Sequence, residues 1–276
     1  MPSPPERKGS PDFIGVGFAV GWWQRALFAH PQVRPPHEGD VALHFLDAFS
    51  GRDFEESDAA RYHAHFPARE GAVIGEWTSR YFYDGWAPAL MRRAAPDARV
   101  IVLLNDPVEH FRRVFTERLA EPRDDGKPLY LADVADRRAY ASHLTRLRRV
   151  FDPERILVLQ YEQCRRDPLV QYRRTLHFLG VRDDFVPRRL RRKAAGKPES
   201  MLVGAGLRLG LPEGTRRRVL ERLGRPVERE PAELWPDLEA SLHATLDPEV
   251  EALRDLVPDF DLSLWPSFAG RLTPPG

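Results

Sequence analysis

The sequence predicts an α/β fold in which a central, mostly parallel sheet carries helices on both faces. Short apolar runs alternate along the chain with segments of helical periodicity, and proline, glycine and aspartate stand between them. The clearest run, residues 99–104, is rich in β-branched side chains, as in parallel strands that are covered on both sides. Strands that alternate with helices form βαβ units, so we expect these strands to run parallel in one sheet.

Five elements are expected in the first hundred residues. The strands are predicted at 13–17, 41–46 and 72–76 and the helices at 22–29 and 86–95. Pro31 ends the first helix, because proline cannot continue the hydrogen-bonding pattern. A loop rich in charged and aromatic residues, 47–67, separates the second strand from the third.

The same alternation continues to the end of the chain. The strands are predicted at 99–104 and 155–160 and the helices at 140–151, 168–180, 213–223 and 234–256, with a further helix beginning at 107. Pro107 and Pro168 each follow an aspartate and suit the first turn of a helix. Gly180 suits a helix end.

Composition limits the class of protein. With 276 residues, of which 42% are hydrophobic, the chain suits one sizeable domain with a buried core. The single cysteine, Cys164, excludes an internal disulfide and fits a reducing cytoplasm. There is no apolar run of transmembrane length, and a net charge of +1 argues against a general nucleic-acid binder. We expect a cytoplasmic protein that binds neither nucleic acid nor a membrane, and the sequence does not indicate its oligomeric state.

A single domain is expected over residues 12–276. Residues 1–11 are polar and proline-rich, lack the apolar core of a signal peptide, and are predicted to be a disordered tail. Within the domain, 186–212 form a basic and glycine-rich loop region and 213–276 a C-terminal helical part. Arginine greatly exceeds lysine, while alanine and proline are abundant, which is typical of a GC-rich genome such as that of an actinomycete.

Short motifs occur along nearly the whole chain in the order found in one enzyme family. They are HPQV at 30–33, LHF at 43–45, GEWTSRY at 75–81, PDA at 96–98, DPVE at 106–109, LVLQYE at 157–162, FLGV at 178–181 and FDLSLWP at 260–266. This set resembles the PAPS-dependent sulfotransferases, in particular bacterial members of the heparan-sulfate and small-molecule type. The resemblance implies the P-loop-like sulfotransferase fold and transfer of a sulfuryl group from the nucleotide PAPS to a hydroxyl group.

The positions that hold PAPS in that family carry other residues here. Where the family has a basic loop with serine or threonine around the 5′-phosphosulfate, this chain has GFAVGWW at 17–23. Asn105 and Arg113 replace the arginine and serine of the 3′-phosphate site, and Ala42 replaces the general base. Losing three or four hydrogen bonds to charged groups weakens binding by roughly 5–10 kcal/mol. The prediction is therefore a degenerate PAPS site and no cofactor.

Candidate functional residues come from the same segments. We expect His44 and Glu76 to be acid/base residues, with Arg80 and Arg113 as electrostatic stabilisers. The expected substrate-binding residues are Phe18, Trp22, Trp23, Trp77, His110 and Tyr140. Structural roles are the alternative for most of them: a hydrogen-bonded loop histidine, a Glu76–Arg80 ion pair, and tryptophans and a tyrosine packed in the core. No metal site is expected.

Three functions stay open at this level. The leading one is a repurposed enzyme that performs cofactor-free acid/base or shape-guided chemistry, such as cyclisation, dehydration or isomerisation, on a hydrophobic natural-product intermediate. The second is a PAPS-dependent sulfotransferase acting on a small-molecule hydroxyl. The third is a non-catalytic protein that binds a ligand or a partner enzyme.

Overall fold

A five-stranded parallel sheet forms the centre of the protein. The computed structural model describes residues 9–18, 21–36, 41–67, 70–120, 135–188, 190–191 and 233–272. The strands are β1 (Phe13–Gly17), β2 (Val33–Arg34), β3 (Val73–Trp77), β4 (Arg99–Leu104) and β5 (Ile156–Gln160). Their order across the sheet is β2-β3-β1-β4-β5, and every pairing is parallel. The α/β prediction is therefore confirmed.

Helices connect and cover these strands. They are α1 (Gly21–Phe28), α2 (Glu56–His63), α3 (Ala87–Ala94), α4 (Pro107–Ala120), α5 (Tyr140–Arg148), α6 (Tyr161–Arg166), α7 (Pro168–Leu179) and α8 (Pro236–Leu256). Short 3₁₀ helices occur at Phe45–Phe49, Ser79–Phe82, Pro153–Arg155 and Leu262–Leu264. Among the helices in the described ranges, none has both the length and the apolar run needed to cross a bilayer.

Two separate cores pack on the two faces of the sheet. Alternation along β1 sends Ile14 and Val16 into one core and Phe13 into the other. The larger core contains buried residues of α3, α5 and α8, and the smaller core contains those of α1 and α7. Both faces of the sheet are thus covered, as the apolar runs predicted.

The strand order reverses direction at β1, which fixes where a ligand can bind. After β1 the chain moves outward to β2, returns to β3, and crosses β1 to reach β4 and β5. Ligands of open parallel sheets bind in the crevice beyond the carboxyl ends of the strands, at the point of reversal. The carboxyl ends of β1, β3 and β4 are therefore the place to look for a site.

The end of the described chain is fastened across this same edge. The side-chain amide of Gln160 donates to the carbonyl of Asp261 over 2.9 Å, and its side-chain oxygen accepts from the Asp261 N–H over 3.1 Å. The buried indole of Trp265 donates to Glu162 over 2.8 Å. The N–H of Ser267 donates to a carboxylate oxygen of Asp106 over 3.0 Å.

One predicted strand is wrong. The segment 41–46 forms no strand. It makes one backbone hydrogen bond to β3, from the N–H of Trp77 to the carbonyl of Val41 over 2.8 Å, and runs as irregular backbone into the 3₁₀ helix Phe45–Phe49. Its backbone donors bond to side chains instead, for example the N–H of Leu46 to the Tyr81 hydroxyl over 3.0 Å. The sequence pattern also missed β2, which is only two residues long. The predicted helix at 213–223, most of the loop region 186–212 and residues 1–8 of the tail lie outside the described residues.

Candidate functional site

The turn after β1 is closed against β4. Gly17 has φ 91°, and a Cβ added there would lie 2.3 Å from the carbonyl oxygen of Leu103, so the position requires glycine. The N–H of Phe18 donates to that carbonyl oxygen over 2.8 Å. Residues 19–20 lie outside the described part of the chain. The Phe18 N–H thus extends the sheet and is not directed at an anion.

Aromatic rings surround Phe18 at the carboxyl end of β1. Its ring centroid lies 4.7 Å from that of His110, 5.7 Å from that of Tyr83 in a stacked arrangement, and 5.8 Å from that of Tyr140. The guanidinium carbon of Arg138 lies 5.7 Å from the Phe18 ring centroid, within the range of a cation–π contact. We call Phe18, Tyr83, His110 and Tyr140 the aromatic cluster.

Positive charge accompanies these rings. Arg138 is only 3% exposed and contacts Nδ1 of His110 over 3.3 Å. Burial lowers the pKa of Arg138 to about 10, and the charges of Arg137 and Arg113 act in the same direction. Burial, aided by Arg138 and Arg113, holds the pKa of His110 well below its usual value, so His110 is neutral near pH 7. The aromatic cluster therefore combines apolar rings with nearby cations.

Asn105 follows β4 and bonds to the aromatic cluster. It is 5% exposed, and its side-chain oxygen accepts a hydrogen bond from the Tyr140 hydroxyl over 3.3 Å. Asp106 follows and caps α4, accepting from the N–H groups of Val108 over 3.0 Å and Glu109 over 3.1 Å. Both residues are thus engaged with the protein's own groups.

An ionic chain links the predicted residues His44 and Arg80. Nδ1 of His44 lies 2.9 Å from Oδ2 of Asp47, and Nε of Arg80 lies 3.7 Å from the same oxygen and 3.3 Å from Oδ2 of Asp84. The His44 side chain is 53% exposed. A histidine that donates Nδ1–H to a carboxylate keeps its other nitrogen as a proton acceptor. We call His44 and Asp47 the histidine–aspartate pair.

Tyr83 connects this pair to the aromatic cluster. Its ring stacks on Phe18, while its backbone N–H donates to the carbonyl of Arg80 over 3.1 Å. Burial raises the pKa of Tyr83, and the charges of Arg80, Asp84 and Asp47 also act on it. The two groups of residues therefore form one continuous region at the strand ends.

Glu76 is enclosed beneath the histidine–aspartate pair. It has no exposed surface, and its carboxylate accepts hydrogen bonds from the Tyr62 hydroxyl, from the Thr78 hydroxyl over 2.6 Å and from the Leu43 N–H over 3.3 Å. Burial raises the pKa of Glu76 to about 7. Arg80 pairs with aspartates and not with Glu76, so the alternative of a Glu76–Arg80 ion pair is wrong.

The three predicted tryptophans lie in the other core. Trp23 and Trp77 are 1% exposed and pack in the smaller core, where Trp22 joins them as a partly buried member. The rings of Trp22 and Trp23 meet edge to face at 5.2 Å, and Trp23 meets Tyr172 in the same way at 6.3 Å. The structure therefore brings Phe18, His110 and Tyr140 together but separates the tryptophans from them by the sheet.

Three residues of this region were not predicted from the sequence. Asp47 follows His44 by three positions, and that spacing would have identified it as an orienting carboxylate. Tyr83 and Arg138 have no such local signal, since they meet Phe18 only through the folded chain. Within the described ranges, no three histidine, cysteine or acidic residues cluster in a way that could hold a metal ion.

Comparisons with known proteins agree with this architecture. Residues 81–184 match the sequence model described as "Sulfotransferase family". A sulfotransferase from Alicyclobacillus acidocaldarius superimposes with a TM-score of 0.62 and 24% identity, over 93% of this chain and 98% of that one. No curated protein matches the sequence.

More distant structural similarities also involve sulfotransferase domains. The sulfotransferase domain of a Synechococcus olefin synthase has a TM-score of 0.46 and 19% identity, covering 88% of this chain and 97% of that one. The sulfotransferase domain from the curacin biosynthetic pathway has a TM-score of 0.49 and 10% identity, covering 79% and 99%. Together, the order of the strands and the superposition show that the chain has the sulfotransferase fold, and residues 81–184 match the sulfotransferase family model.

Proposed function

We propose that this protein is a sulfotransferase-fold enzyme that no longer uses PAPS and performs acid/base chemistry on a hydrophobic small molecule. The reactions that fit are cyclisation, dehydration and isomerisation, on substrates of the natural-product type. The observation that carries the proposal is the position of Phe18, whose ring occupies the carboxyl end of β1 among other aromatic rings.

The described residues do not fit PAPS at the positions where the family holds it. A phosphate-binding turn offers several backbone N–H groups to the anion, whereas the N–H of Phe18 is bonded to β4. Asn105 is bonded to Tyr140 and has no charge to offer a phosphate. We therefore assign no step of the reaction to this nucleotide.

His44 is the proposed proton acceptor. Asp47 holds Nδ1–H, which leaves Nε2 with a lone pair on a half-exposed side chain. Arg80 and Arg113 are the proposed stabilisers of negative charge on the substrate. Arg80 forms ion pairs with Asp47 and Asp84, and the charge of Arg113 helps to lower the pKa of His110. Phe18 and His110 are the proposed substrate contacts; Tyr140, which is only 1% exposed, is assigned to supporting Phe18, and the tryptophans are assigned to packing.

The proposed role of His44 is tested by substitution against a matched control. His177 and Asp183 form another exposed histidine–aspartate pair, with Nε2 and Oδ2 3.0 Å apart on α7 and the loop after it. With a panel of hydrophobic, hydroxylated small molecules, His44→Ala should lower turnover by about a hundredfold or more, and His177→Ala should leave it unchanged. Turnover that survives His44→Ala would remove the acid/base role of this residue.

One observation favours a PAPS-dependent sulfotransferase as the second candidate. Arg113, Arg137 and Arg138 place positive charge beside the aromatic cluster, and an anionic nucleotide would be attracted to them. Calorimetry with PAP separates the two candidates. We expect no binding at micromolar concentrations; a micromolar Kd that is weakened by Arg113→Ala would favour the second candidate and overturn the first.

A further inference from the structure

The segment that carries His44 is held mainly by side chains. One backbone hydrogen bond joins its start to β3, from the N–H of Trp77 to the carbonyl of Val41 over 2.8 Å. Among the described residues, three of its backbone N–H groups donate to a cluster formed by β3 and the turn after it. Leu43 donates to Glu76 over 3.3 Å, His44 to the Thr78 hydroxyl over 3.3 Å, and Leu46 to the Tyr81 hydroxyl over 3.0 Å. We call Glu76, Thr78 and Tyr81 the anchor, because the position of the segment depends on them.

Glu76 is the centre of the anchor. One carboxylate oxygen receives the Tyr62 hydroxyl from α2, and the other receives both the Thr78 hydroxyl and the Leu43 N–H. Because Glu76 has no exposed surface, it cannot touch a substrate and can act only through the residues it binds. The bond from Thr78 also orients the hydroxyl so that its lone pairs face the His44 N–H.

His44 itself has a backbone conformation that needs such support. With φ 53° and ψ 18° it lies in the left-handed region, and no other described residue except glycine has a positive φ. For a residue with a side chain this conformation is unfavourable and persists where surrounding contacts impose it. The chain turns there into the 3₁₀ helix that carries Asp47, whose N–H donates to the His44 carbonyl over 3.2 Å. The left-handed turn thus brings His44 and Asp47 onto the same side.

We propose that Glu76 is a positioning residue, which fixes the histidine–aspartate pair at the strand ends by holding the backbone of residues 43–46 through the anchor. The inference rests on the proposed function, in which His44 accepts the proton. It reassigns Glu76, because the sequence favoured direct participation in proton transfer and the enclosed position does not allow it. Loss of Glu76 should therefore release the segment without unfolding the sheet.

Two replacements of Glu76 separate positioning from other roles. In Glu76→Gln the side-chain oxygen can accept from Thr78 and Leu43 while the amide donates to the Tyr62 oxygen, so the anchor survives without charge. In Glu76→Ala the three donors lose their acceptor. Thr78→Val is a third variant of nearly unchanged shape, which removes the hydroxyl that receives the His44 N–H.

Amide hydrogen exchange measures the release of the segment independently of any substrate. We expect Glu76→Ala and Thr78→Val to speed exchange at Leu43, His44 and Leu46 by about tenfold or more, while Glu76→Gln stays near wild type. Glu162→Gln is the control, since that buried carboxylate bonds Trp265 and the Asp106 N–H at another part of the edge. Its effect should be confined to that part.

If Glu76 positions the segment, the variants that speed amide exchange should also be the ones that lose turnover. Glu76→Ala should lower kcat with little change in KM, and Glu76→Gln should restore most of it. Unchanged exchange at residues 43–46 in a folded Glu76→Ala or Thr78→Val protein would overturn the positioning role. Faster exchange with unchanged turnover would instead count against the proposed function, because it would mean that the placement of His44 does not matter to the reaction.

Discussion

Replacing Glu76 with glutamine should change how the stability of the protein depends on pH. Burial raises the pKa of Glu76 from its ordinary 4.5 to about 7, so the folded protein holds this proton more tightly than the unfolded chain. A folded-state pKa above the unfolded value contributes stability that is complete below pH 4.5 and is lost as pH rises through 7. At about 1.4 kcal/mol per pH unit, the loss is about 3 kcal/mol. Glutamine has no proton to lose and should lack this contribution.

The tyrosines beside Glu76 do not titrate in this pH range. Burial and the charge of Glu76 raise the pKa values of Tyr62 and Tyr81 above that of a free tyrosine, so both stay protonated. The charge of His44 also acts on Glu76, so the comparison is repeated in a His44→Ala background, which removes that interaction. The difference between wild type and Glu76→Gln therefore isolates the carboxyl group.

Urea denaturation between pH 4.5 and 8, followed by tryptophan fluorescence, measures the effect. We expect the wild type to lose about 3 kcal/mol more than Glu76→Gln over this interval. The exposed Glu154 provides the control, since Glu154→Gln should keep the pH profile of the wild type. Parallel profiles for wild type and Glu76→Gln would show that Glu76 titrates normally and would refute the argument from burial.

Three further predictions concern the strand ends. Gly17→Ala should cost several kcal/mol in the free energy of unfolding and reduce soluble expression, because its Cβ would lie 2.3 Å from a carbonyl oxygen of β4; Gly51→Ala, with no atom within 4 Å, should cost less than about 0.5 kcal/mol. Asp106→Ala should cost about 2–4 kcal/mol by denaturant titration, since three N–H groups lose their acceptor, and a neutral result would contradict its role as a cap. Trp265→Phe should cost about 1–3 kcal/mol and lower the melting temperature, because Glu162 loses the indole donor; an unchanged melting temperature would contradict this.

The strands were predictable because a strand that is buried on both faces has an almost continuous apolar sequence. The run at Arg99–Leu104 is apolar throughout and forms β4 at the predicted residues. The segment 41–46 has a similar apolar content but forms no strand, since its N–H groups find acceptors on Glu76, Thr78 and Tyr81 more than thirty residues away. Local pattern cannot distinguish a backbone bonded to a strand from one bonded to side chains.

The site was only partly predictable for a related reason. Phe18 was expected as a substrate contact because it follows the first strand, His110 because it lies on the helix after the strand at 99–104, and Tyr140 because of the family resemblance; the fold brings the three together. Trp22 and Trp23 follow the same strand, but helix α1 turns them onto the opposite face. The face that a helix turns towards the sheet depends on the conformation of the turn before it, and the sequence pattern does not predict that conformation.

The hydrogen bonds that residues 261–267 make across the strand ends have a consequence for biosynthesis. The partner of Gln160 lies 101 positions later in the sequence, and the N–H of Ser267, which bonds to Asp106, lies 161 positions after it. A nascent chain can align all five strands before these donors have been translated, but its edge would still carry buried carboxylates without their final partners. That edge can therefore close only after residues 261–267 have been made, and a ribosome that stalls before them would leave a sheet whose strands are aligned but whose carboxyl-terminal edge lacks these bonds.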